Sequence, residues 1–163
     1  MLIHILSISH KLESWLSDGI EEYLKRFDTR EIKIISTEMT PPTRLKTKKI
    51  KQCIQEESAL IQNYLNKLKK TKIIVLDILG DLPSSTESFA RNLKQWMEDG
   101  EALCFIIGGA DGLADQIIQK ADIRLSLSPL TFPHPMAKLI LIEQIYRAYS
   151  FNKGHPYHRG NII

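Results

Sequence analysis

Two hydrophobic periods alternate along this chain, and that alternation limits what it can fold into more than any other feature. Runs rich in β-branched and apolar residues at 2–9, 31–38, 72–79, 102–107 and 123–127 read as strands. Between them, apolar residues recur every three or four positions. Leu12, Trp15, Leu16, Ile20, Tyr23, Leu24 and Phe27 form one helical stripe. After Pro41-Pro42, Ile50, Cys53, Ile54, Ile61, Tyr64, Leu65 and Leu68 form a second, whose opposite face is expected to carry much of the basic charge. Ser84 with Glu87 reads as a capping box for a third helix that ends near Gly100. A short helix is expected over 113–121. The last helix starts at Pro135, carries Leu139, Ile142, Ile145, Tyr146 and Tyr149, and stops at Asn152-Lys153-Gly154. Strand and helix in strict turn mean an α/β fold, a mainly parallel sheet with helices on both faces. No repeat or long linker divides residues 1–163, so one domain is expected.

The bulk properties exclude several classes. No apolar run approaches the roughly 20 residues a membrane span requires, and the N-terminus lacks the basic and small-residue signature of a signal peptide. The expected location is the cytoplasm. Cys53 and Cys104 lie far apart inside apolar patterns, as reduced core thiols do. The net charge of +3 is unevenly spread: residues 41–72 hold nine Lys/Arg against Glu56 and Glu57, which leaves the rest of the chain at −4. A basic segment of this kind attracts polyanions, although a solvated helix face gives the same pattern.

In open parallel sheets ligands bind beyond the carboxyl ends of the strands, so the loops at 76–81, 108–113 and 128–135 are the candidate sites. Gly108-Gly109-Ala110-Asp111-Gly112 follows an apolar strand and precedes a helix, where glycines admit a ligand to the backbone. Its spacing fits neither dinucleotide-binding nor P-loop patterns, and a plain tight turn explains it equally. The 127–135 loop holds three prolines among apolar and hydroxyl residues, which suits either a rigid pocket wall or a connector whose Ser and Thr cap the next helix. The tail His155-Pro156-Tyr157-His158-Arg159 crowds two imidazoles, a phenol and a guanidinium into five residues. His-x-x-His without Cys or carboxylate partners is poor metal-ligand spacing, and no metal is expected.

Taken together, LDILG at 76–80, FIIGGADGL at 105–113, LSLSPLTFPHPMAK at 125–138 and NKGHPYHRG at 152–160 resemble one family over essentially the whole chain. It resembles the SPOUT-class methyltransferases that modify N3 of a pseudouridine in large-subunit (23S) ribosomal RNA. The resemblance implies a C-terminal trefoil knot, a homodimer with active sites at the subunit interface, and S-adenosyl-methionine as cofactor. It places that cofactor against Leu76, Gly108, Leu127, Ser128, Pro129, Leu130, Thr131 and Phe132. Many relatives carry an acidic residue after His-Arg; this chain has Gly160 there.

On that reading the tail is catalytic. Arg159 is expected to stabilise the imide anion or hold the nucleotide, His158 or His155 to accept the proton, and Tyr157 to stack or hydrogen-bond. Ribosomal RNA, on the assembled ribosome, is expected to meet Lys46, Lys48, Lys49 and Lys51. The alternatives are a ribosome-associated RNA-binding protein of the same fold without turnover, and a flavodoxin-like nucleotide binder using 108–112.

Overall fold

A computed structural model describes residues 1–10, 12–43 and 49–159, with His158 and Arg159 described for their backbone only. Lys46 and Lys48 lie outside the described residues. Five strands, β1 (Leu2–Ile8), β2 (Lys33–Met39), β3 (Thr71–Asp81), β4 (Ala102–Ile107) and β5 (Ile123–Leu125), form one sheet in the order β2-β1-β4-β3-β5. Every pairing is parallel. The helices are α1 (Ser14–Leu24), α2 (Ile50–Leu65), α3 (Thr86–Glu98), α4 (Asp115–Ile118) and α5 (His134–Asn152), followed by a 3-10 turn, Pro156–Arg159.

The strands are buried on both faces, which is why their sequences read as continuous apolar runs. Ile3, Ile5, Leu103 and Phe105 point into a core shared with α1, α3 and α5; Leu6, Cys104 and Ile106 point the other way, against α2 and α4. The crossovers from β1 to β2 and from β3 to β4 move in one direction along the sheet, and their helices lie on one face. The crossovers from β2 to β3 and from β4 to β5 move the opposite way and carry their helices on the other. A constant crossover hand requires that division. It also sends the loop after β4 to the opposite face from the loops after its neighbours β1 and β3, which opens crevices at the carboxyl edge. Lys138, with no exposed surface, ties α5 to the outer strand: its Nζ donates to Glu38 Oε1 at 2.7 Å.

Several boundaries differ from the sequence reading. Strand β3 continues past Gly80, because after an irregularity Asp81 resumes pairing with Leu125, the residue already opposite Leu76. The cap of α3 is Ser85, whose Oγ accepts from Ser88 N–H at 3.1 Å; Ser84 lies one residue too early to reach that donor. Helix α4 is a single turn, since Gly112, Leu113 and Ala114 remain in the incoming loop. The face of α2 is not basic: Lys51 is its one cation against Glu56 and Glu57, and the other described lysines of the segment flank the helix. The count over 41–72 had merged the helix with the loops at both ends. Both cysteines are free and buried, and burial pushes the Cys104 thiol up to about 12.

His4 on β1 is buried against α2, with Nδ1 3.0 Å from the Tyr64 hydroxyl and the rings edge to face. Burial holds this imidazole below its ordinary value of 6.5. The unfolded chain therefore takes up the proton first on acidification. The stabilisation is complete above about pH 6.5 and is lost as pH falls through the folded-state value. Urea midpoints should drop between about pH 7.5 and about pH 5, and the drop should be shallower in His4→Gln; an equal drop would assign the acid sensitivity elsewhere.

Candidate active site

Three strand-end loops converge on one cavity of about 400 Å³ at the carboxyl edge, between β3 and β4. Leu76, Gly108, Leu127, Ser128, Leu130, Thr131 and Phe132 all line it, as the sequence reading grouped them. Pro129 does not line it; it is exposed in the middle of the same loop. The lining is mostly apolar, with hydroxyls from Ser126, Ser128 and Thr131 and main-chain groups from the glycine loop, the composition of a site for a largely apolar small molecule with a few polar edges.

Local sequence explains each wall. The irregular stretch of β3 is pinned by Asp77, whose carboxylate accepts from Leu79 N–H at 2.9 Å and from Arg124 Nη2 at 2.6 Å. Desolvation alone would raise this carboxyl, but the two hydrogen bonds and the guanidinium outweigh it and hold it below its ordinary value. The 126–132 wall folds on itself: Ser126 Oγ donates to Ser128 C=O at 3.1 Å, and Ser128 Oγ accepts from Leu130 N–H at 2.9 Å. These hydroxyls shape the loop and do not cap α5, whose start has no side-chain cap.

The third wall is a turn closed by Gly112 N–H donating to Gly109 C=O at 3.0 Å, with Gly112 at φ +84°. Glycine adopts that φ without the Cβ clash. At Gly109 the constraint is space: a Cβ there would stand 2.5 Å from Glu57 Oε2. Glu57 lies on α2 and is 3% exposed.

A second cavity, about 460 Å³, adjoins the first on the β1 side. Gly109, Ala110 and His134 line both. Its other walls come from the end of β1, the start of α1, Glu57 and the 133–136 turn, including Ser9, His10, Leu12, Trp15 and Met136. Burial holds the His134 imidazole below its ordinary value, so it is neutral at pH 7. The sequence reading missed this cavity because it compared three strand-end loops. In an all-parallel sheet the loop after β1 opens on the same edge, and His10 with Trp15 was the available signal.

Of the tail's described side chains, neither His155 nor Tyr157 is among the residues lining the two cavities. Tyr157 is drawn inward, its hydroxyl 3.1 Å from Tyr23 Oη and 3.1 Å from Glu143 Oε1, with the Arg147 guanidinium over its ring. Burial and these acceptors raise its pKa, so it stays a phenol. His155 Nδ1 accepts from Tyr157 N–H at 3.3 Å, which caps the 3-10 turn carrying His158 and Arg159.

A doubly wound parallel sheet with apolar ligand cavities at its switch points defines a small-molecule-binding α/β protein. The class is set by comparison: residues 1–158 match the family described as "Predicted SPOUT methyltransferase", and the chain belongs to it. The chain is 42% identical over 159 residues to ribosomal RNA large subunit methyltransferase H of Dechloromonas aromatica (strain RCB), covering 98% of this chain and 99% of that protein. It is 40% identical over 158 residues to the protein of the same name from Legionella pneumophila (strain Paris), covering 96% and 98%. Among solved structures it is similar to a Legionella pneumophila methyltransferase-type protein with bound SAM, at TM-score 0.51 and 13% identity over 91% of this chain and 66% of that one. A methylase-family protein from Neisseria gonorrhoeae gives TM-score 0.51 and 13% identity over 89% and 81%. At such identity the likeness is one of fold.

Gly109→Ala should destabilise the protein by about 1–3 kcal/mol through the clash with Glu57. Pairing it with Glu57→Ala should recover part of that loss, read as melting temperatures around the double-mutant cycle. Strict additivity would show that Glu57 is not what excludes a side chain at Gly109.

Proposed function

We propose that this chain uses S-adenosyl-methionine to methylate N3 of a pseudouridine in 23S ribosomal RNA, in the cytoplasm, on the assembled ribosome and as a homodimer. The observation that carries the reading is the convergence of Leu76, Gly108 and the 127–132 loop on one cavity, in a chain alike over its length to proteins named as ribosomal RNA methyltransferases. The cavity suits the cofactor: apolar side chains such as Leu127, Leu130 and Phe132 can enclose an adenine ring, and the main chain of the glycine loop and of 126–128 can read its edge. S-adenosyl-methionine held there would supply a sulfonium methyl for in-line transfer, with sulfur keeping the electron pair of the S–C bond, while a side-chain base of this chain would take the N3 proton.

The chain's own task is alignment and proton removal. An imide titrating about two units above neutrality costs roughly 3 kcal/mol to ionise at pH 7. A guanidinium beside it offsets much of that, which is the role proposed for Arg159, with His158 or His155 as proton acceptor. Tyr157, expected to stack or hydrogen-bond, is anchored through its hydroxyl to Tyr23 and Glu143, and its proposed part is to hold the turn that carries Arg159. Because His155 and Tyr157 line neither cavity of their own chain, the tail is proposed to serve the cofactor cavity of a second subunit. Ile78 and Leu130, 53% and 71% exposed at the rim, give that subunit an apolar seat. The fold's proposed C-terminal knot would keep the cavity loops in place. Lys49 and Lys51, both exposed at the start of α2, are proposed to meet RNA phosphates.

Calorimetry should detect S-adenosyl-methionine binding, and the protein should methylate ribosomes in preference to naked RNA. Arg159→Ala should keep cofactor affinity and lose methylation by about a hundredfold or more, as for removal of one group that stabilises developing charge. Normal turnover by that variant would end the proposed role. Cofactor binding without turnover on any ribosomal particle would instead mark a non-catalytic RNA-binding protein. Replacing Lys49 and Lys51 by Ala should weaken ribosome binding and flatten its salt dependence; an unchanged salt slope would leave them as solvated charges.

A further inference from the structure

We infer that the second cavity receives the acceptor base: one pyrimidine, unstacked from the RNA, lies against the Trp15 indole with its imide edge towards the Gly109-Ala110-His134 wall. The inference rests on the methyl-transfer reading above and adds where the acceptor sits.

Adjacency is the first argument. In-line transfer requires donor carbon and acceptor nitrogen within about 3–3.5 Å, so the acceptor must occupy space that opens directly on the donor cavity. Gly109, Ala110 and His134 line both cavities, so an occupant of one borders an occupant of the other. Two of these three residues are the smallest available, and a Cβ at Gly109 would stand 2.5 Å from Glu57 Oε2, so that carboxylate would have to shift.

The second argument is the chemistry of the walls. Trp15 is 55% exposed in the single chain, and its Nε1 donates to Glu13 Oε2 at 2.7 Å, which orients the ring. An oriented, accessible indole is a stacking platform for any base. Among the described lining residues there is no Lys or Arg, while Glu13 and Glu57 are carboxylates. Those carboxylates can accept from ring N–H donors.

The third is an orphaned polar atom. The Ser9 hydroxyl is buried in this wall and has no hydrogen-bond partner among the described residues. Buried polar atoms are almost always paired, and this hydroxyl, which has almost no accessible surface as it stands, would meet a ligand by rotating towards the cavity. Pseudouridine carries one more ring N–H than uridine, and a wall of hydroxyl and carboxylate acceptors suits that extra donor.

Two variants from different elements test the inference. Trp15→Ala removes the platform at an exposed position, and Met136→Trp fills the cavity from the other side. In both, calorimetry with S-adenosyl-methionine and methylation of ribosomes are measured against the wild type, with melting temperatures to confirm folding. The expected result is unchanged cofactor affinity with kcat/KM lower by about tenfold or more, the scale of one lost base–aromatic stack. Wild-type turnover in both folded variants would overturn the inference. So would a parallel loss of cofactor affinity, which would assign the cavity to the donor. Should Met136→Trp fail to fold, Trp15→Ala decides alone. A wild type that binds no S-adenosyl-methionine and methylates no ribosome would instead sink the methyl-transfer reading itself.

Discussion

Strand β4 lies in the middle of the sheet, paired with β1 on one side and β3 on the other, and residues Leu103 to Ile106 expose no surface. Each such side chain contributes roughly 1.5–3 kcal/mol by leaving water, and the two faces of the strand feed separate cores. This double burial holds the glycine turn in place. The turn starts where β4 ends, so its position relative to β1 and β3 is set by the sheet register, with Ile107 opposite Ser7 and Ile106 opposite Val75. A loop tethered this way can form a common wall between two cavities without a large side chain to brace it.

Much of this was legible in the sequence for one physical reason: parallel strands buried on both faces leave an uninterrupted apolar signal. The β4 reading of 102–107 coincides with the observed strand, and the three strand-end loops followed from the rule that such sheets bind ligands at their carboxyl edge, whereas Leu76, Gly108 and 127–132 within them came from the family resemblance. What sequence could not supply was pairing. The extension of β3 to Asp81 depends on Leu125, 44 positions away, accepting a second partner across an irregularity that Asp77 and Arg124 hold. The cap at Ser85 instead of Ser84 is a one-residue choice between identical side chains, decided by which Oγ reaches the Ser88 amide.

The tail shows a subtler limit. Its composition suggested that all its polar groups face substrate, yet Tyr157 is turned back into a network with Tyr23, Glu143 and Arg147, and His155 closes the turn on itself. Tyr157 and His155 thus help build the turn itself. Composition reports their chemistry, whereas this packing depends on which groups α1 and α5 bring within reach. Glu143 is shared between Arg147 and Tyr157, so the last helix and the terminal turn are coupled through one carboxylate.

Among the described residues the second cavity is assembled from five stretches separated in sequence: the end of β1 with the start of α1, Pro41, Glu57 of α2, the glycine turn, and 133–136. None is a motif alone, and a search by motif passes over it. The topology nevertheless demands a crevice there. The chain leaves β1 towards the face of α1 and leaves β4 towards the face of α4, so the space between their carboxyl ends cannot be closed by either loop. The same argument opens the first cavity between β4 and β3. Two crevices flanking one central strand give a protein that must bring a donor and an acceptor together a place for each, with Gly109, Ala110 and His134 as the wall they share.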